Sequence, residues 1–531
     1  MSEAGGISRR RLIHLAGGAG LAAAAGCSGA ARHPGAPPTG TTSAAAGTGT
    51  ARTPTPGTTA PVTALAALSA RLSSPLLRPG DSGYARAVAL YNPRFDRDPR
   101  PVAIARCRSS ADVVACVRAV QGGVPPLRLR AGGHSYGGWS SGPGLVVDVR
   151  PMSSVTLDRA AGTVRIGAGA RLAEVYAALG QQGVAVAGGS CPSVGITGLT
   201  LGGGVGVLTR AFGLTCDALR SVELVTADGA LREVDARRHA DLFWALRGGG
   251  GGSFGAVTAL TLAVRPAPTV HLFFLSWERG HAPDVLAAWQ RWLPGRDAAL
   301  WSTCKVLATP ADGRVRVLVA GTWIGAGADL DRQLAPLLAA VGAPPRARSS
   351  RTLGYEQAML QEAGCRGKDV QQCLTDALGP AQRRPFAATS AILRTALPPG
   401  GVEAAVAGAS RALEVAETVE GGVSFDALGG RVDDLAPEAT AFAHRGALAT
   451  VQFTATWPRA GTDPARFDAY VRRQRAGLAP WTGQAAYVNY ADPAIGDAGR
   501  AYWGDHLPRL REVKRTYDPH ELFTFPQAVR P

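Results

Sequence analysis

Three glycine-rich loops, each set between short apolar segments, constrain what this chain can fold into more than any other feature of its sequence. They read "RAGGHSYGG" (130–138), "GGSCPSVGITGLTLGGGVG" (188–206) and "LFWALRGGGGGSFG" (242–255). Glycine has no Cβ, so it adopts positive φ freely and lets the backbone approach a neighbouring group closely. Repeated in one part of the chain, such loops predict that the backbone surrounds something extended, as it would around a long cofactor.

Two of these loops each contain one side chain that is capable of forming a covalent bond. His134 stands in the first loop and Cys191 in the second. A histidine in this setting can be a base, a ligand or a point of attachment, and a cysteine is a nucleophile as its thiolate. From the local sequence alone, a turn histidine and a buried thiol are the alternative interpretations.

The segments around the loops alternate between strand and helix patterns. "RPVAIARC" (100–107) has the pattern of a strand, and "SSADVVACVRAVQGG" (109–123) has that of a helix. We expect Ser109 or Ser110 to be the N-cap of this helix and Gly122 to end it. The alternation predicts an α/β or α+β domain.

Further along, "LRSVELVTADGALREV" (219–234) predicts a hairpin with its turn at Asp228 and Gly229, and the domain is expected to close near Pro268. The segment "GAGARL" follows a strand and opens a helix, but it lacks the third glycine of a dinucleotide-binding fingerprint. We therefore reject a Rossmann domain.

A second region begins at about residue 269 with a different pattern. Four apolar segments predict strands, starting at Thr269, Arg314, Gly421 and Ala447, and amphipathic helices lie between the strands. This pattern indicates a second α+β domain over 269–484. It is followed by a tail, 485–531, that contains "AAYVNYADP".

The N-terminus has the features of an export signal. Arg9 and Arg10 follow Ser8 and precede a short glycine- and alanine-rich apolar segment, which is typical of a twin-arginine signal over 1–27. "AAGC" resembles a lipoprotein cleavage site, which would place a lipid on Cys27. Residues 28–60 form a Gly/Pro/Thr/Ala linker that we expect to be disordered, and 61–95 lead into the first domain.

The formal net charge of +16 raises the question of nucleic-acid or membrane binding. The arginines are scattered rather than clustered, and aromatic residues are not interleaved with them, so we expect no nucleic-acid partner. Exported proteins can contain disulfides, and Cys365 with Cys373 is the best candidate pair. Cys107 and Cys116 are as well explained as buried free thiols. No CxxC pair occurs, and we predict no metal site.

The six motifs "RAGGHSYGG", "GGSCPSVGITGLTLGGGVG", "LFWALRGGGGGSFG", "TAFAHR" (440–445), "AYVNYAD" and the final "DP…F…PQ" occur in the order seen in one family. In these motifs the chain resembles the berberine bridge enzyme-like FAD-linked oxidases over about 90–531. The resemblance implies the α+β fold of vanillyl-alcohol oxidase: a PCMH-type FAD-binding domain over 96–268, a substrate domain over 269–484 with an antiparallel sheet, and a C-terminal segment returning to the FAD domain. One departure is Glu521, where the family usually has asparagine, which puts a local capping contact in doubt.

The resemblance also implies a bicovalent cofactor. His134 would bond to the 8α-methyl group of FAD and Cys191 to flavin carbon C6. The remaining cofactor-binding residues implied by the matched motifs are Arg130, Ala131, Gly132, Gly133, Ser135, Tyr136, Gly137, Val194, Gly195, Gly198, Gly202, Gly203, Gly204, Gly206, Gly252, Gly255, Val257 and Asn489.

For the catalytic end, the resemblance implies that a tyrosine of "AYVNYAD" removes a hydroxyl proton, with an acidic neighbour, while hydride passes to flavin N5. We predict Tyr487 as this base. On a strand, Tyr487 and Asn489 would share one face and Tyr490 would point away. Asp426 and Gln452 are candidate site residues on strands of the second domain, and a turn residue is the alternative for Asp426.

These features predict an exported FAD-dependent oxidase that acts on an alcohol, carbohydrate or natural product and passes electrons to O2. In the family, the residue three places after the flavin-linked cysteine resembles a gate for oxygen. It is Val194 here, and a residue smaller than leucine favours an oxidase. The alternatives are a dehydrogenase with another acceptor, or a surface lipoprotein whose flavin is idle or absent.

Overall fold

The computed structural model describes residues 59–96, 100–124, 126–378 and 383–531. The expected export signal, Cys27 and nearly all of the expected linker lie outside the described residues. The described residues begin with a helix at Thr59, at the end of the range expected for the linker. No helix in the described ranges is both long and apolar enough to cross a membrane.

The first domain begins with a small parallel sheet that sets the position of the His134 loop. Its strands are β1 (Ala103–Arg106), β2 (Leu127–Arg130) and β3 (Leu145–Asp148), in the order β1-β3-β2. The His134 loop therefore connects two adjacent parallel strands. The helix Ser110–Gln121 connects β1 to β2, with Ser109 as N-cap and Gly122 as C-cap, as predicted.

A two-stranded antiparallel sheet pairs β6 (Val184–Ala185) with β10 (Arg265–Pro266). A five-stranded antiparallel sheet completes this domain. It contains the predicted hairpin, in which Val225 pairs with Leu231 around Gly229 at φ +74°. The small parallel sheet beside it is not a doubly wound Rossmann sheet, which confirms that rejection. In the order of the sheet, the five strands are β4 (Val155–Asp158), β5 (Thr163–Gly167), β9 (Ala256–Ala263), β7 (Leu219–Val225) and β8 (Leu231–Asp235).

The second domain is built on a seven-stranded antiparallel sheet, in agreement with the predicted α+β substrate domain. All four predicted strands are present, and the three that the sequence analysis missed are β12, β14 and β15. In the order of the sheet, the strands are β14 (Ala347–Gly354), β11 (Thr269–Glu278), β13 (Arg314–Trp323), β12 (Leu300–Thr309), β16 (Glu420–Ala427), β17 (Ala449–Thr456) and β15 (Phe386–Leu393).

The two faces of this sheet differ in character. Val423, Phe425 and Val451 belong to the apolar core. The alternate positions include Ser424, Asp426 and Gln452, which are polar and buried. Helices that pack against the sheet include Ala282–Trp292, Pro399–Ser410 and Ala465–Thr482.

The remaining helices connect the sheets or cover the ends of the domains. Short 3-10 turns, such as Val488–Tyr490, lie between them. These remaining α-helices are Thr59–Ser69, Tyr84–Val88, Leu172–Gly180, Ile196–Leu201, Thr209–Phe212, Ala240–Ala245, Leu330–Val341, Tyr355–Glu362, Val370–Leu378, Ala498–Trp503 and Leu507–Tyr517.

The cysteines agree with the sequence analysis where the structure describes them. Cys365 and Cys373 form the expected disulfide. Cys107 and Cys116 are free and buried, with their sulfur atoms 4.0 Å apart. Among the described residues, no group of three or more His, Cys, Asp or Glu side chains is arranged to hold a metal ion.

Candidate active site

A cavity lies where the three larger sheets meet. It encloses about 1800 Å³, part of which is open to solvent. Leu129 and Val147 contribute from the parallel sheet, Ala256 from the five-stranded sheet, and Trp301 and Asp426 from the seven-stranded sheet. The cavity therefore borders both domains.

The loops that contain His134 and Cys191 touch each other through their backbones. A Cβ on Gly132 would lie 2.1 Å from the amide nitrogen of Gly195, and one on Gly195 would lie 2.3 Å from the nitrogen of Gly132. Neither position has room for a side chain. This contact places His134 and Cys191 on the wall of the same cavity.

His134 is held by two neighbours. Its Nε2 lies 2.8 Å from Oγ of Ser193, and its ring stacks on Tyr91 with centroids 3.7 Å apart and planes 16° apart. Loss of hydration lowers the pKa of His134 to about 3, so its imidazole is neutral at physiological pH. A neutral imidazole has the lone pair that a nucleophile needs.

Cys191 borders the cavity from the neighbouring loop. A bond from its sulfur to a flavin carbon requires a thiolate.

Arg130 supplies a positive charge at the end of β2, beside the cavity. Burial lowers the pKa of its guanidinium to about 10, so it remains charged at neutral pH. Its Nε donates to the carbonyl of Ser140 over 2.9 Å, whereas its buried Nη2 has no hydrogen-bond partner among the described residues. A buried cation with an unpaired donor fits an anionic ligand.

Together these observations test whether FAD fits the site. The glycine-lined wall and the unpaired Arg130 donor are consistent with a dinucleotide that carries a pyrophosphate. Of the predicted cofactor residues, those that line the cavity are Arg130, Ala131, Gly132, Gly133, His134, Ser135, Tyr136, Cys191, Val194, Gly195, Gly198, Gly206, Gly252, Gly255, Val257 and Asn489.

Four of the predicted cofactor-binding glycines do not line the cavity. A Cβ on Gly202 would lie 2.1 Å from Oδ1 of Asn489, and one on Gly204 would lie 2.3 Å from Oγ1 of Thr215. Their small size lets the loop pack closely against protein at these positions. The same holds for Gly203 against Phe442 and Gly137 against Trp139.

Three hydrogen-bond donors surround the hydroxyl of Tyr487. Its hydroxyl oxygen accepts from the amide nitrogens of Gly204 (3.0 Å) and Val205 (3.3 Å) and from Nδ2 of Asn489 (2.9 Å). Asn489 Nδ2 also donates to the carbonyl of Leu199, which fixes the orientation of its amide. These donors fix the position of the Tyr487 oxygen.

Tyr490 lies in a different position from the one predicted. Residues 488–490 form a 3-10 turn instead of a strand, so strand alternation does not apply. The Tyr490 ring is in edge contact with Tyr487 (centroids 5.0 Å) and stacks on Tyr136 (centroids 5.4 Å, planes 16° apart). Burial, together with the nearby Asp426 charge, raises the pKa of Tyr490 well above its ordinary value.

Asp426 and Gln452 are both buried, and they differ in their distance from the cavity. Asp426 lines the cavity, and neither of its carboxylate oxygens has a hydrogen-bond partner among the described residues. Burial raises the pKa of Asp426, although the charge of Lys305 opposes the shift. Gln452 does not line the cavity. Its Nε2 donates to the hydroxyl of Tyr136 over 2.7 Å, so it supports a residue of the cavity wall.

The sequence analysis missed several residues of this cavity. Tyr91 and Ser193 support His134, Trp301 comes from an unpredicted strand, and Phe525 and Gln527 come from the C-terminal segment. Ser193 lies inside the motif that was singled out, so its proximity to Cys191 was a usable signal. Nothing in the local pattern around Tyr91 links it to His134.

Two family models match parts of the chain that contribute to this cavity. The one described as "FAD binding domain" matches residues 101–235, and the one described as "Berberine and berberine like" matches residues 486–530. The first match includes both His134 and Cys191, and the second includes Tyr487 and Tyr490.

Curated relatives cover nearly the same length of chain. An uncharacterized FAD-linked oxidoreductase of Bacillus subtilis, YgaK, is 32% identical over 466 residues, which are 87% of this chain and 98% of the relative. A carbohydrate oxidase of Microdochium nivale is 28% identical over 86% of this chain and 93% of its own length.

Solved structures have the same architecture. A chitooligosaccharide oxidase superposes with a TM-score of 0.78 at 28% identity, covering 88% of this chain and 99% of its own. A berberine bridge enzyme-like protein of Physcomitrella patens superposes with a TM-score of 0.78 at 27% identity, covering 88% of this chain and 98% of its own.

Proposed function

This chain belongs to the berberine bridge enzyme-like family of FAD-linked oxidoreductases, and on that premise we propose that it is an exported oxidase with bicovalently attached FAD. It removes hydride from an alcohol, carbohydrate or natural-product substrate and passes the electrons to O2, which becomes H2O2. The observation that carries the proposal is the meeting of His134, Cys191, Tyr490 and Asp426 at one cavity.

FAD, when bound, accepts hydride from the substrate and passes the electrons on. Arg130 would bind the pyrophosphate with its unpaired Nη2, and the backbone between Gly132 and Tyr136 would surround it. Cys191 would have to be a thiolate when its link to the flavin forms.

We assign the removal of the substrate proton to Tyr490 instead of Tyr487. The donors around the Tyr487 oxygen make it a positioning group. With the pKa of Tyr490 raised, a free phenolate is disfavoured at neutral pH. Tyr490 would therefore release its own proton as it receives the hydroxyl proton of the substrate, and Asp426, whose charge acts on Tyr490, would take up that proton when it is ionised.

Val194 supports the choice of O2 as the electron acceptor. It lines the cavity three residues after Cys191, and its side chain is shorter than leucine by one methylene. In so closely packed a wall, one methylene decides whether a small molecule fits. The names of the carbohydrate oxidase and chitooligosaccharide oxidase relatives favour the same acceptor.

The proposal of export rests on the sequence alone. Arg9, Arg10 and the segment ending at Cys27 have the pattern of a twin-arginine signal with a lipoprotein cleavage site. A lipid on Cys27 would be the chain's attachment to the membrane. The disulfide between Cys365 and Cys373 is compatible with an oxidising compartment.

A combined assay of attachment and peroxide release tests this function. Purified protein is precipitated with acid, and flavin fluorescence is read in a denaturing gel of the wild type, His134→Ala, Cys191→Ala and the double variant. Each single variant should retain one link, and the double variant should release all flavin. The wild type is then screened for H2O2 with sugars, aryl alcohols and polyketide or alkaloid alcohols in separate wells. Complete loss of flavin from acid-treated wild type would refute covalent attachment. Peroxide-free turnover with an artificial electron acceptor would favour a dehydrogenase.

A further inference from the structure

We infer that Ser390 is a positioning residue for Tyr490, because its hydroxyl holds both ends of the turn that contains this tyrosine. The inference rests on the proposed role of Tyr490 as the group that accepts the substrate proton. It extends that proposal to a residue of the substrate domain that does not itself line the cavity.

Ser390 contacts the turn through two hydrogen bonds whose directions are fixed. Its Oγ accepts from the backbone N–H of Tyr487 over 3.0 Å and donates to the backbone carbonyl of Tyr490 over 3.4 Å. A backbone N–H can only donate and a carbonyl can only accept, so the hydroxyl has a single arrangement here. One side chain therefore pairs a donor at the start of the turn and an acceptor at its end.

The strand that contains Ser390 is a firm support for the turn. Ser390 is fully buried on β15, which pairs with β17 along its whole length. The backbone carbonyl of Ser390 accepts from Nε of Arg475 over 2.9 Å, and Arg475 belongs to the helix Ala465–Thr482. The turn is thus fixed to a packed sheet, which holds a functional group more precisely than a loop does.

The residue opposite Ser390 holds Tyr490 from another side. Gln452 pairs directly with Ser390 across β15 and β17, and it donates to the hydroxyl of Tyr136, whose ring stacks on Tyr490. Ser390 therefore fixes the backbone of Tyr490, and Gln452 acts on its ring through Tyr136. The same sheet contains Asp426, so it sets the phenol and the carboxylate relative to each other.

Loss of the Ser390 hydroxyl should loosen the turn without unfolding it. The N–H of Tyr490 would still donate to the carbonyl of Tyr487 over 2.9 Å, but the bonds from the turn to β15 would be missing. Proton transfer needs the phenol within hydrogen-bond reach of the substrate hydroxyl, so a displaced phenol slows the reaction. Substrate binding should change little, because Ser390 does not border the cavity.

The test uses the full chain with its flavin and the alcohol that gives most peroxide in the substrate screen. The rate constant of flavin reduction is measured without oxygen by stopped flow. Ser390→Ala should lower it about tenfold, the size expected for loss of a neutral hydrogen bond. The apparent affinity for the substrate should stay nearly unchanged, and Ser390→Thr should restore most of the rate. In the Tyr490→Phe background, Ser390→Ala should have no further effect, because no phenol is left to position.

Thr389→Val is the matched control. Thr389 is the preceding residue of β15, and its side chain lies on the opposite face of the strand. Its hydroxyl is equally buried and has no hydrogen-bond partner among the described residues. This substitution should leave the rate of flavin reduction unchanged. The melting temperature of each variant checks folding.

A second readout is independent of activity. Hydrogen exchange of the Tyr487 amide, followed by mass spectrometry, should be faster in Ser390→Ala than in the wild type or Thr389→Val. Unchanged exchange in a folded Ser390→Ala variant overturns the inference, and so does an equal loss of rate in the presence and absence of the Tyr490 hydroxyl. Tyr490→Phe with the wild-type rate would instead refute the proposed role of Tyr490, and the inference would fail with it.

Discussion

Tyr136 and Tyr490 stack with their ring centroids 5.4 Å apart, although they are 354 residues apart in the chain. Tyr136 belongs to the loop of His134, and Tyr490 belongs to the C-terminal segment. Gln452 of the seven-stranded sheet donates to the Tyr136 hydroxyl. The proposed proton-accepting group is thus oriented by the cofactor loop and by the substrate domain together.

Mutation should distinguish the roles of Tyr490 and Tyr487. Tyr490→Phe removes the proposed proton acceptor and should lower kcat about 10²–10⁴-fold, the usual contribution of an acid–base group. Tyr487→Phe removes only the oxygen that Gly204 and Asn489 bind, and it should change kcat much less. Steady-state kinetics at saturating substrate measure both. A larger loss in Tyr487→Phe would return the base role to Tyr487.

Asp426→Asn should lower activity and increase stability. Burial raises the pKa of Asp426, so the folded protein binds this proton more tightly than the unfolded chain does. The stability contributed by this group is complete below the ordinary carboxyl pKa and is lost as pH rises through the raised value. At neutral pH, Asp426→Asn should therefore increase the free energy of unfolding by about 1 kcal/mol.

The raised pKa of Asp426 also predicts how kcat depends on pH. Proton relay needs Asp426 ionised, so kcat should fall with decreasing pH at a point above the ordinary carboxyl range. Chemical denaturation and kcat are measured across the same pH series, with Asp426→Asn beside the wild type. A stability gain that persists unchanged at low pH would contradict the electrostatic explanation.

Val194→Leu should slow the reoxidation of reduced flavin by O2 while leaving reduction by substrate nearly intact. The reason is steric, since the added methylene would fill space beside the cavity. Stopped-flow measurement of the two half-reactions separates them. If Val194 is only a packing residue, the substitution will lower stability and alter both half-reactions. Slow wild-type reoxidation that Val194→Gly does not improve would favour the dehydrogenase.

Glu521→Asn should stabilise the protein. Glu521 has φ +52°, a left-handed conformation that disfavours residues with a Cβ and that asparagine tolerates better. The substitution also removes the half-exposed ion pair with Arg530, which is worth little. We expect a net gain of about 0.5–1 kcal/mol in the free energy of unfolding. Arg530→Met removes the same ion pair without relieving the backbone, so its melting temperature should not rise.

The export signal is tested by replacing Arg9 and Arg10 with lysine. The twin-arginine route transports folded proteins, and FAD is made inside the cell. The variant should therefore accumulate in the cytoplasm with its flavin attached. Fractionation with in-gel flavin fluorescence measures this. Undiminished export would show that the N-terminal segment has another role.

Sequence reasoning found those parts of the molecule where a residue's role depends on its own neighbours in the chain. The loops of His134 and Cys191, the Ser109 cap and the Cys365–Cys373 disulfide are of this kind. Glycine patterns and caps act over a few residues, so the local sequence contains their signal.

The parts that were missed depend on distant contacts or on a locally ambiguous pattern. Tyr91 stacks on His134 through tertiary packing that no periodicity reveals. The alternation rule failed for Tyr490 because residues 488–490 turn instead of extending. Strand β14 was missed because it lies at the sheet edge and is exposed along most of its length, so it lacks the apolar alternation of a half-buried strand.

Phe525 and Gln527 border the same cavity as Arg130 and Gly252. A ribosome makes the loops that surround the cofactor early and these two residues much later, after the whole substrate domain. Until then the cavity lacks part of its wall, and a bound flavin could exchange with the surroundings. The protein therefore retains its cofactor only after synthesis, when the C-terminal segment has packed against the domain that was made first.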